Sequence, residues 1–122
     1  MIGHHRWAIP EGFIPGQSVS NNRELVSHEA VCILNAGDEP ADIEMTIYFR
    51  DREPVGPYRH RVPARRTLHL RFNDLADPQP IPRDTPYASV IASNVPVVVQ
   101  HTRLDSRHPN ISLFSTIAFP VT

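Results

Sequence analysis

Thirteen prolines are spread along 122 residues, against only five glycines. Each proline fixes φ and removes a backbone donor. It breaks a helix from within and is tolerated in sheets only at edges, ends or bulges. This density excludes long helices and favours short strands separated by turns. The apolar pattern agrees, because no window places apolar residues at i, i+3, i+4 and i+7 over three turns, whereas alternation with period two recurs throughout.

"IEMTIYF" sets Ile43, Met45, Ile47 and Phe49 on one face and Glu44, Thr46 and Tyr48 on the other. "TLHLRF" sets Leu68, Leu70 and Phe72 inward, opposite Thr67, His69 and Arg71. "EAVCILN" is apolar on both faces, as a central strand is. "YASVIAS", "VVVQHTRLDS" and "ISLFSTIAF" supply further strands, and "RWAI" and "ELVS" are shorter candidates. Turn signals separate them: "NAGDEPA", "REPVGPY", the proline-rich Asp74–Pro86 segment with one short helical turn at its start, and "SRHPN". Pro54 to Pro57 brackets a glycine, which predicts a tight reversal. Short strands with turn-rich connectors predict an all-β sandwich or barrel in a single domain over residues 1–122.

The formal net charge of −1 argues against a nucleic-acid-binding surface, which needs a basic excess. All twelve basic residues are arginine, so a Schiff-base lysine and a P-loop lysine are both excluded. The single cysteine, Cys32, permits no internal disulfide and reads as a small core residue. No stretch has the length of a membrane span and no signal peptide is recognisable, so the expected location is the bacterial cytoplasm.

Candidate chemistry is sparse. "HEAVC" begins like a zinc-protease motif, but Cys32 stands where the second histidine belongs, and the segment reads as a strand. His4 and His5 lie near the amino terminus without a ligand set around them. No cysteine–histidine spacing matches a zinc site, no nucleophile elbow is present, and neither metal nor cofactor is expected. Glu29, His101 and Asp105 could serve carbohydrate chemistry if strands brought them together, although no catalytic residue is assigned. Five arginines, Arg59, Arg61, Arg65, Arg66 and Arg71, cluster in sequence. They suit either an anion or the acidic loops nearby.

The most informative row is in "VVVQHTRLDS". Side chains two apart on a strand share a face, so Val97, Val99, His101, Arg103 and Asp105 form one line from an apolar floor to a polar end. Small-molecule pockets have that character. His69 and Arg71 offer a similar mix. The five polar residues His69, Arg71, His101, Arg103 and Asp105 are therefore the candidate ligand-binding set, with Asp105 orienting Arg103. The same row would equally suit an ion-pair strip at a subunit contact. A homo-oligomer is expected on separate grounds: "ISLFSTIAF" is apolar on both faces, and edge strands need cover.

Several long stretches, in order, resemble one family. "WAIPEGFIP", "SHEAVCILNAGDEPADIEMTIYF", "EPVGPYR", "VPARRTLHLRFNDL", "PIPRDTPYASVI" and "NVPVVVQHTRLDSR" are similar to the sensory rhodopsin transducer family. The resemblance implies a jelly-roll-like β-sandwich assembled as a homotetramer. It also implies a signalling or ligand-sensing role without catalysis, with a small sugar-like or anionic ligand and a membrane sensory rhodopsin as the partners to consider.

Overall fold

The computed structural model describes all 122 residues, and they form eight antiparallel strands with no α-helix. In chain order these are β1 (His4–Gly12), β2 (His28–Asn35), β3 (Ala41–Phe49), β4 (Val55–Val62), β5 (Arg66–Arg71), β6 (Tyr87–Asp105), β7 (Ser112–Ile117) and β8 (Phe119–Val121). One 3-10 turn, Phe72–Asp74, follows β5. No helix is long and apolar enough to cross a membrane.

The stretches "YASVIAS" and "VVVQHTRLDS" are one strand. β6 runs for 19 residues and belongs to both halves of the fold. Its first half pairs with β3 and β1, giving the order β4-β3-β6-β1-β8. Its second half pairs with β2 and β7, and β5 extends that sheet beyond β2. The partners change over between Ser93 and Val98. Pro96 falls in this interval, where a missing backbone donor costs little. Gly3 approaches the same place: a Cβ there would lie 2.2 Å from the Val97 carbonyl oxygen, and its φ of +107° suits only glycine.

A single cluster of 19 buried apolar residues fills the space between the halves. Ile43, Met45 and Ile47 enter it from β3, Val31 and Ile33 from β2, and Val97 and Val99 from β6. The period-two reading of "IEMTIYF" therefore holds. Trp7 closes one end, its indole N–H donating to the Val97 carbonyl at 2.9 Å. Asn35 is buried with its amide satisfied. It donates to the carbonyls of Glu39 and Val62 and accepts from the Gly37 N–H, which fixes the β2–β3 turn.

Three sequence expectations need correction. "ELVS" is a turn, because the Asn22 carbonyl accepts from both Leu25 and Val26, while its side chain accepts from Glu24. Local asparagine bonding outweighs the strand propensity of the apolar residues there. Gly56 and Pro57 lie inside β4 and not at a reversal, since the turn is made by residues 50–54. β4 is an edge strand, so Pro57 removes no needed ladder bond. Cys32 is not in the core: it is half-buried on the outer face of β2, and burial raises its thiol pKa.

Candidate functional site

Strand register decides which polar side chains can meet. Residues directly opposite one another in an antiparallel ladder share a face. Glu29 of β2 is opposite Arg103 of β6, Val31 opposite His101, and Ile33 opposite Val99. The β2 row Glu29–Val31–Ile33 and the β6 row Val99–His101–Arg103 therefore face inward together. The apolar floor of the row is present, as Val97 and Val99 are fully buried. Its polar end meets a carboxylate.

Glu29 is completely buried and works as a hub. Its Oε1 and His101 Nε2 share a hydrogen bond of 2.6 Å. Its Oε2 accepts from Arg103 Nε at 2.8 Å and from the Phe13 backbone N–H just beyond β1. Arg103 Nη2 is also 2.8 Å from Oε2, at an angle too poor for a hydrogen bond. Arg103 Nη1 reaches outward to Glu11, 3.1 Å away. A buried charge is tolerated only when paired and hydrogen-bonded, and Glu29 has both forms of support.

Aromatic side chains roof the hub. Phe114 of β7 meets the His101 ring edge-on at 6.0 Å and lies 5.6 Å from the Arg103 guanidinium carbon. Tyr87 is buried close by, and its hydroxyl makes no well-formed hydrogen bond. Burial, and then the Glu29 charge, push that phenol well above its ordinary pKa. The Tyr87 ring lies over Gly12, where an added Cβ would sit 2.3 Å from it.

A second polar cluster opens to solvent on the far side of Asn73. The Asn73 side chain accepts from the Glu29 N–H at 3.2 Å and donates to the Ser27 carbonyl at 3.0 Å. Beyond it is a cleft of about 330 Å³ lined by Asn21, Arg23, Arg71, Asp74 and Arg83. Arg23 grips Asp74 at 2.7 Å. Arg71 donates to the Arg23 carbonyl at 2.8 Å, and Arg83 donates to the carbonyls of Ile81 and Asn73. Asp74 has a depressed pKa, chiefly through its bond to Arg23, with Arg71 and Arg83 adding charge and burial opposing.

The five candidate ligand-binding residues do not converge on one cavity. His101 and Arg103 join through Glu29. Asp105 is turned away and holds Arg107, with Nη2 at 2.6 Å, so it does not orient Arg103. His69 and Arg71 are opposite Cys32 and Ala30, on the outer face of the sheet. His69 is exposed there, while Arg71 reaches the arginine cleft. Of the possible catalytic trio, Glu29 and His101 touch but Asp105 stands apart. In the arginine cluster, Arg59 pairs with Glu44, Arg61 with Asp42 and Arg65 with Asp38.

The hub itself was missed: the parity of Glu29 with Val31 and Ile33 was the one signal available, and the alternate row Ala30, Cys32 and Leu34 is equally apolar. Arg23 and Arg83 carried none, because both sit in loops where periodicity says nothing about direction.

The comparisons with known proteins point one way. A family model for the Anabaena sensory rhodopsin transducer matches residues 2–120. Among solved structures, the chain is similar to the Anabaena sensory rhodopsin transducer, with 63% identity and a TM-score of 0.72, covering 82% of this chain and 96% of that one. It is also similar to a Thermotoga maritima protein, with 39% identity and a TM-score of 0.88, covering 99% of this chain and 97% of that one. No curated protein matches it.

Proposed function

The chain belongs to the Anabaena sensory rhodopsin transducer family, and from that premise we propose that it is a non-catalytic signalling protein. It senses a small anionic or sugar-like ligand and passes its state to a partner. A membrane receptor of the sensory rhodopsin kind is the partner that the relative's name suggests. The family match across nearly the whole chain carries this reading.

The geometry of the hub supports the non-catalytic part. A general acid or base needs a free lone pair or proton within reach of a substrate. The Glu29 carboxylate is sealed from solvent and engaged by His101, Arg103 and the Phe13 N–H. Asp105, the third group a carbohydrate enzyme would have used, is committed to Arg107.

The chain acts as a homo-oligomer in this reading, a tetramer by analogy with the family. β7 pairs only with β6, and all six of its residues are exposed. Leu113, Ile117 and, on β2, Leu34 share the outer face of this sheet by register and remain open to solvent. Apolar surface of this kind on a free edge marks an interaction site. The cytoplasm is the compartment proposed for it.

Incubation with a panel of neutral sugars, sugar phosphates and carboxylic acids tests the reading. Saturable binding with every compound recovered unchanged supports it. Product formation abolished by Glu29→Gln would replace it with an enzyme.

A further inference from the structure

The loop 21–26, the end of β5 and the segment after the 3-10 turn each contribute one arginine to the same cleft: Arg23, Arg71 and Arg83. Asp74 is the one carboxylate among the lining residues, which leaves two positive charges in excess. How the guanidiniums are held matters more than their number. Arg71 and Arg83 bond to backbone carbonyls, of Arg23 for the first and of Ile81 and Asn73 for the second. A carbonyl fixes a guanidinium without neutralising it. An arginine has five N–H donors in a planar fork, so each head keeps donors for another acceptor. The arginines of β4 contrast with this, since Arg59 and Arg61 are each matched to a carboxylate of β3.

Resting on the ligand-sensing reading above, we propose that this cleft binds the phosphate or carboxylate group of a small molecule, with Arg71 and Arg83 as its principal donors and Arg23 at its rim. Planar guanidinium forks suit the oxygen pairs of both anions. Asn73 forms the inner wall. Its carbonyl receives Arg83, and its side chain receives the Glu29 N–H. An anion drawing on Arg83 is therefore linked through Asn73 to the Glu29 hub by two successive hydrogen bonds.

The test is calorimetric titration of the full chain with inorganic phosphate, pyrophosphate and citrate, followed in parallel by amide NMR. Wild-type protein is expected to bind at least one of them saturably, with the Asn73 and Glu29 amide signals moving together. Arg71→Gln and Arg83→Gln each remove charge-assisted hydrogen bonds and are expected to weaken binding roughly ten- to a hundredfold. Both side chains lie at the surface, so the fold should survive, which circular dichroism checks. Arg59→Gln is expected to leave affinity unchanged. Unaltered binding in both cleft variants would overturn the site while leaving ligand sensing intact. Binding of neutral sugars but of none of the anions would do the same. Sedimentation with phosphatidylglycerol vesicles without saturable uptake of any free anion would overturn the small-molecule assignment. Binding of no anion and no sugar would remove both the site and the sensing reading.

Discussion

His101 Nε2 lies 2.6 Å from Glu29 Oε1, and neither side chain is open to solvent. Two adjacent strands meet there through their side chains as well as through their backbones. Arg103 and the Phe13 N–H complete the ring around the same carboxylate, so β1, β2 and β6 depend on one another at this point.

Glu29→Ala leaves His101 and Arg103 without their shared acceptor. Breaking a buried pair by removing one partner costs about 3–5 kcal/mol. The variant should lose that much in urea denaturation, while Asp105→Asn, at the partly exposed pair with Arg107, should lose less than about 1 kcal/mol. Equal losses in the two variants would show that Glu29 is not the hub.

Tyr87→Phe removes a buried hydroxyl that has no well-formed partner. An unsatisfied buried hydroxyl costs about 1–3 kcal/mol. The variant should be as stable as wild type or more so by thermal denaturation. A marked loss of stability would mean that the hydroxyl is engaged, with Glu29 the acceptor to suspect.

Acid sensitivity should follow Asp74 and Asp105, whose pKa values are both depressed in the fold. The main causes are the hydrogen bonds to Arg23 and Arg107 respectively. A depressed carboxylate stabilises the fold above its unfolded pKa, near 3.9, and that stabilisation is lost as pH falls through the folded value. Denaturation midpoints should therefore drop below about pH 4. Arg23→Gln should return the Asp74 titration toward the ordinary range in carboxyl NMR. An unchanged Asp74 titration in that variant would contradict the pairing.

The apolar edge predicts assembly. Light scattering of the wild type should give a multiple of the 13.8 kDa chain, and Leu113→Glu with Ile117→Glu should reduce it. A wild-type mass of one chain would contradict the oligomer.

The strands were readable because alternation is a direct consequence of the pleat. Ile43, Met45 and Ile47 had to share a face, and proline density ruled out the helical alternative. The inward row through His101 and Arg103 was readable for the same reason. Its partners were not. Which residue lies beside Arg103 depends on the register between β2 and β6, which joins positions 74 apart in sequence. Parity within each strand could not place His69 and Arg71 on the opposite face from His101, because it fixes no relation between one strand's faces and another's. Asp105 shared the parity of Arg103 and still went to Arg107, since a neighbour two residues along in the following turn lies closer to hand.

Ligand sensing without chemistry is tested most directly by one measurement. Amide NMR of the full chain is recorded during titration with the metabolite panel, and each ligand is analysed by mass spectrometry afterwards. Saturable shifts are expected, centred on Arg71, Asn73 and Arg83 and extending to Glu29, with every ligand chemically unchanged. A converted ligand whose turnover disappears in Glu29→Gln would contradict sensing without chemistry.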